Sequence, residues 1–154
     1  ASDPRWRMRE GVAMALQRLG DRDMDALLAE MEDWSRGTWL EKRAAAAGLC
    51  EPRLLAKPEH ARRVLRLLDD ITASVAAAQD RKSDDYKTLR QALGYCWSVA
   101  VAALPAEGKA AMEKWLPAAD PDVAWIVKEN LKKKRLQRID QAWVDALARK
   151  VQAG

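Results

Sequence analysis

The chain has 154 residues, enough for one domain that buries its own core without a disulfide staple. Hydrophobic residues make up 49% and charged residues 32%, and 27 Lys and Arg against 23 Asp and Glu leave a net charge of +4. That balance excludes a disordered chain, and no apolar run is long enough for a membrane span or a signal peptide.

Apolar residues recur at helical spacing along the whole chain and predict eight helices. The first covers 4–19, with Met8, Val12, Ala15, Leu16 and Leu19 on one stripe and Asp3-Pro4 as its start signal. The second covers 22–34, striped by Met24, Leu27, Leu28, Met31 and Trp34. A third covers 38–50. The fourth, 58–79, carries Val64, Leu68, Ile71, Val75 and Ala78. The fifth, 84–104, carries Leu89, Leu93, Cys96, Ala100 and Leu104. The sixth covers 106–117. Asp120-Pro121 opens the seventh, 121–136, and Asp140 caps the eighth, 140–152.

Several chemistries drop out. His60 is the one histidine, so a multi-His metal site is impossible. No CxxC, GxGxxG or P-loop pattern occurs, and no cofactor or metal is expected. His60, in the run KPEH, reads as an exposed residue at a helix start. Cys50 and Cys96 fall in apolar helical stretches and read as core residues, in a chain suited to a reducing cytoplasm.

An internal repeat organises the sequence. Arg9, Arg43, Arg90 and Lys128 form a column with spacings of 34, 47 and 38 residues. Six residues before them stand Asp3, Gly37, Asp84 and Asp122, and three or four before them Trp6, Trp39, Tyr86 and Trp125. This pattern resembles HEAT repeats, in which such an Asp and Arg form a ladder between stacked helix pairs. The resemblance implies an all-α, right-handed α-solenoid of about four HEAT-like helix pairs, in one domain over 1–154. It also makes helices one, three, five and seven the inner, concave series. Helix one then lacks an outer partner, so either the parent protein is longer or helix one is a cap.

Charge sorts by series. The inner segments 1–20, 35–56, 81–105 and 120–139 hold four, four, four and six cations against two, two, two and three carboxylates. The outer segment 21–34 has one Arg against six carboxylates, and the remaining outer segments balance. The excess positive charge lies on the inner series, a footprint suited to nucleic acid. The rival reading assigns part of it to the ladder and to helix dipoles, as for Lys132, Lys133, Lys134 and Arg135. Of the seven Trp, 34, 97, 115 and 143 fit apolar stripes, whereas Trp6, Trp39 and Trp125 lie beside basic residues where a ligand would reach them.

Three segments carry a closer resemblance. Leu89-Arg90-Gln91-Ala92-Leu93-Gly94-Tyr95, Trp39-Leu40-Glu41-Lys42-Arg43-Ala44-Ala45 and Trp6-Arg7-Met8-Arg9-Glu10 are similar to motifs of the HEAT-like alkylpurine DNA glycosylases, the DNA alkylation-repair superfamily. Those enzymes excise cationic alkylated purines from DNA. The resemblance implies Glu10 as the carboxylate that stabilises an oxocarbenium ion, Trp6 and Tyr95 against deoxyribose, and Arg43 on a phosphate. Glu stands where the family has Asp, and Tyr95 where it has Trp. Arg7, Trp39, Lys42, Trp125, Lys132, Lys133 and Arg135 complete the expected DNA or partner surface. The plain readings are a cap or ladder carboxylate for Glu10 and a ladder cation for Arg43. The segments ALGYCWSVAVAA and DPDVAWIVKENLKKKRL also resemble bacterial HEAT-repeat proteins of no established function.

Three functions follow as alternatives: a DNA-binding HEAT-like protein, with or without glycosylase activity; a non-enzymatic protein-binding scaffold; and a subdomain of a larger protein. The first expects Trp6, Glu10, Arg43 and Tyr95 on one basic groove. The second expects a groove of apolar patches and mixed charge. The third expects an exposed apolar face on helix one, which could also drive dimerisation. No membrane partner is expected.

Overall fold

A computed structural model describes residues 4–153 of the chain. The side chains of Pro4, Trp6 and Ala153 lie outside the described residues, as does Asp3, the expected cap of the first helix. The described residues are helical throughout, with no strand. The helices are α1 (Pro4–Arg22), α2 (Met24–Trp34), α3 (Trp39–Leu49), α4 (Pro58–Ala76), α5 (Asp84–Ala103), α6 (Pro105–Glu113), α7 (Pro121–Leu131), α8 (Lys134–Ile139) and α9 (Gln141–Ala153). A short 3-10 turn, Pro52–Leu55, precedes α4.

Local chemistry sets most helix starts. The Asp23 carboxylate accepts from the Ala26 amide at 3.0 Å to open α2. Thr38 and Glu41 form a capping box at α3. Ser83 caps α5, and Asp120 accepts from the amides of Asp122 and Val123 at α7. Pro58, Pro105 and Pro121 begin their helices, where a missing N–H costs nothing.

Four helix ends differ from expectation, the first helix running on to Arg22 rather than 19 and the sixth stopping at Glu113 rather than 117. The fourth helix, expected to reach 79, stops at Ala76. Arg81 folds back and donates to the Ala76 and Ala78 carbonyls at 3.2 and 2.9 Å, satisfying groups that a longer helix would have used. The seventh helix, expected over 121–136, breaks after Leu131 into α7 and α8. The break turns Leu136 into the core, where it is buried.

The odd-numbered helices α1, α3, α5 and α7 pack successively side by side. In a second row α2 packs on α4 and α4 on α6, each also against an odd-numbered neighbour, while α9 closes on α7 and α8. Trp97 fills the middle of the core, its indole N–H donating to Thr72 at 3.0 Å. Trp34, Trp115 and Trp143 pack against the same core, and Cys50 and Cys96 are buried in it, as expected. Burial pushes the Cys50 thiol well above its ordinary range, and the neighbouring Cys96 adds to that rise. Ion pairs tie the second row together: Arg63 to Glu32 at 2.8 Å, Arg62 to Glu107 at 2.7 Å and Lys114 to Asp69 at 2.9 Å. His60 begins α4 but is buried, contrary to the expected exposure, because α2 lies over it and Asp25 approaches its Nε2 at 3.2 Å.

Two close approaches fix the middle of the molecule. A Cβ on Gly108 would stand 2.6 Å from the Val101 Cα, so only glycine lets α6 lie this near α5. Asn130 of α7 is buried; it accepts from the Ser98 amide at 2.8 Å and donates to the Leu93 carbonyl at 2.9 Å. One side chain thereby stitches α7 to the backbone of α5.

Candidate functional site

The helices α1, α3 and α5 leave a hollow of about 630 Å³ between them. Arg5, Met8, Arg9 and Val12 form its α1 wall, and Leu40, Glu41, Arg43 and Ala44 come from α3. The first two turns of α5 supply Asp84, Asp85, Lys87, Thr88 and Gln91, and Trp34 joins from the end of α2. The lining follows from the helix starts. The Thr38–Glu41 capping box sets the register of α3, leaving Leu40 38% exposed. The Ser83 cap places Asp84 and Asp85 in the first turn of α5, where the helix dipole favours carboxylates. Met8 is 72% and Val12 40% exposed, so the α1 wall shows bare apolar surface. The hollow thus combines apolar side chains with a basic wall and an acidic lip.

Arg43, which lines the hollow, donates to Glu10 at 3.1 Å. The Arg43 side chain is 13% exposed and that of Glu10 is 43% exposed. The two residues on which the glycosylase resemblance would place the chemistry therefore meet as an ion pair between neighbouring helices. This is the arrangement of the plain ladder reading, and it sets a guanidinium beside the carboxylate on which an oxocarbenium ion would draw. The Nε groups of Arg9 and Arg43 are buried without a hydrogen-bond partner among the described residues. The side chain of Trp6 lies outside the described residues, and Arg7 beside it is exposed.

A second group forms elsewhere. Tyr95 is 42% exposed, with the Arg135 guanidinium 5.1 Å and the Lys133 ammonium 5.9 Å from its ring centre. These three expected partner-binding residues do come together, carried by α5 and the α7–α8 break. Lys132 does not join them; it pairs with Glu129 at 2.8 Å. Tyr95, Lys133 and Arg135 are not among the residues that line the hollow, which does hold Arg43.

The expected ladder has one full rung in the expected register. Arg90 donates to Asp122 at 2.7 Å. Asp122 also accepts from the Tyr86 hydroxyl at 2.6 Å and from Arg81 at 3.0 Å. Arg81 holds Asp120 as well, at 2.6 Å. Burial works to raise both carboxyls, but these donors outweigh it and leave Asp120 and Asp122 below their ordinary values. Burial and the bond to Asp122 push the Tyr86 phenol upward, and the bond to Asp120 leads the rise of Arg81.

The aromatic column serves this network. Trp39, expected to face a ligand, is half-buried edge-on to Tyr86 at 5.3 Å, with Lys42 over its ring at 4.7 Å. Desolvation lowers the Lys42 pKa. Trp125, with the same expectation, lies half-buried under the Arg90 guanidinium at 3.8 Å and close against Gly94. Both rings pack between helices because the ladder Arg and Tyr need flat apolar neighbours beside the carboxylate. Neither Arg81 nor Asn130 announces its role in the sequence. Arg81 sits in a charged loop with no spacing signal, and Asn130 interrupts an otherwise apolar stripe, which is the one hint it offers.

Among the described residues no group of His, Cys, Asp and Glu could hold a metal ion, and no helix is long and apolar enough to cross a membrane. No protein-family model, no curated protein and no solved structure matches this chain.

Proposed function

We propose that this chain is a non-enzymatic protein-binding module, an α-solenoid of about four HEAT-like helix pairs working in the cytoplasm, whose α1–α3–α5 hollow receives a segment of a partner protein. The observation that carries this reading is the exposed apolar surface of Met8, Val12 and Leu40 in a hollow of mixed charge. Apolar surface left open to water on a concave face gains free energy when a partner covers it. Phosphates offer it nothing. The best-placed inner cations also favour this reading, because Arg43, Arg81 and Arg90 are engaged with Glu10, Asp120 and Asp122.

One observation favours DNA as a second reading. The exposed Tyr95 ring with Lys133 and Arg135 beside it is the kind of surface on which a base stacks and a phosphate rests.

The deciding experiment is fluorescence anisotropy of a labelled DNA duplex titrated with the protein at rising salt. The protein-binding reading expects no saturable binding at moderate ionic strength. Binding whose salt slope implies several phosphate contacts would overturn it in favour of DNA. Release of base from methylated duplex, lost in Glu10→Gln, would restore the glycosylase reading.

A further inference from the structure

α1 presents an apolar stripe that the described residues leave open. Met8, Val12, Ala15 and Leu19 fall within about 60° of arc at 3.6 residues per turn and run about 16 Å along the axis. Met8 is 72% exposed, Val12 and Leu19 are each 40% exposed, and Ala15 is exposed as well. Arg7, Arg18 and Arg22 follow the stripe round the solvent side of the helix. All three are exposed, and none has an ion pair among the described residues. The carboxylates of α1 cannot serve them, since Glu10 pairs with Arg43 and Asp21 with Arg53 at 2.9 Å.

We infer that this face docks an amphipathic helix of a partner protein, with its apolar stripe against Met8, Val12 and Leu19 and a row of Asp or Glu against Arg7, Arg18 and Arg22. The inference rests on the protein-binding reading and names the partner's chemistry. A helix is the fitting occupant because α1 exposes no free backbone groups to pair with an extended segment. A strand laid here would leave its own N–H and C=O groups unmet, whereas a helix satisfies them internally. The stripe matches about three turns of such a helix. Charge selects its flank, because exposed unpaired arginines beside a desolvating seam favour carboxylates and reject lysines, as flanking charges do in paired helices. A second copy docking through the same face would set these arginines against each other.

The test uses the full chain, isotopically labelled, and two synthetic four-turn peptides. They share one apolar stripe and differ only in carrying glutamates or lysines on its flank. The glutamate peptide is expected to bind about tenfold more tightly at low salt, with amide shifts centred on α1. The triple variant Arg7→Glu, Arg18→Glu, Arg22→Glu, altered only at exposed positions, should reverse that preference. Equal affinities, or tighter lysine peptide, would overturn the acidic-partner inference while leaving the protein-binding reading in place. Failure of both peptides, with saturable DNA binding, would overturn the two together. A concentration-dependent dimer abolished by Met8→Glu would replace the partner helix with a second copy. Adsorption to anionic phosphatidylserine vesicles, with no peptide binding, would replace it with a lipid surface.

Discussion

Asp122 gathers three donors from three different positions: the Tyr86 hydroxyl, Arg81 and Arg90. A carboxylate so surrounded supports the fold only while it is charged. Its folded pKa lies below the ordinary value of 3.8, so its contribution is complete above that value and is lost as pH falls through the lowered one. Asp120, shifted the same way, adds to this acid sensitivity. Replacing Asp122 by Asn should cost about 2–3 kcal/mol at neutral pH, since the amide cannot serve two guanidinium groups and a phenol. Urea unfolding across a pH series checks both parts. The parent protein should lose stability on the acid side, and the variant should start lower and fall less steeply. A variant as stable as the parent would deny the hub its role. The Glu10–Arg43 pair is a weaker case because Glu10 is 43% exposed and water screens it.

At the scale of the elements, the α5–α6 contact is set by one missing methyl group. Gly108→Ala would push a Cβ to within 2.6 Å of the Val101 Cα, which is backbone and cannot turn aside. The helices must separate, at a cost of about 1–3 kcal/mol. Gly11→Ala is the control, since nothing lies within 4 Å of its Cβ and a helical alanine should gain about 0.5–1 kcal/mol there. Thermal or urea unfolding of the two variants should move in opposite directions. These elements also show what the sequence can and cannot reveal. Helix starts such as those at Asp120-Pro121 and Asp140 were legible because a capping carboxylate and a proline act locally, within one turn. The end of α2 at Trp34 was legible too, but the end of α4 was not, because it depends on the Arg81 side chain returning from the next loop. The α7–α8 break depends on where the core can take Leu136. The burial of His60 is hidden from the sequence for the same reason, as it comes from α2, over thirty residues earlier. The candidate site was legible in its residue types. The column of Arg43 and Arg90 signalled charge between helices, but spacing could not tell Glu10 as a free acid from Glu10 as Arg43's partner.

Across the whole molecule, burial is uneven. Among the described side chains α1 fully buries little beyond Ala13, whereas α5 buries Trp97, Tyr86, Leu89 and Leu93. In a stack where each helix leans on its neighbours, the least buried end opens first. Native-state hydrogen exchange should therefore run at least about tenfold faster in α1 than in α5, with α5 amides exchanging only through global unfolding. Equal protection in the two helices would contradict this gradient. Protection of α1 should rise on binding the glutamate-flanked peptide.

The Asn130 stitch gives this gradient a mechanical meaning. A side chain bonded at once to the Ser98 amide and the Leu93 carbonyl pins α7 against sliding or rolling on α5. The residues between those anchors include Tyr95, whose place along α5 is therefore fixed relative to α7. Among the described residues α1 is tied to α3 by a longer bond of this kind, from Gln17 to the Ala47 carbonyl at 3.3 Å, by the Glu10–Arg43 pair and by Leu16 packed against Gly48. Of the walls that bound the hollow, α1 buries the fewest of its described side chains. The width of the hollow is the dimension that a docked partner is expected to change most.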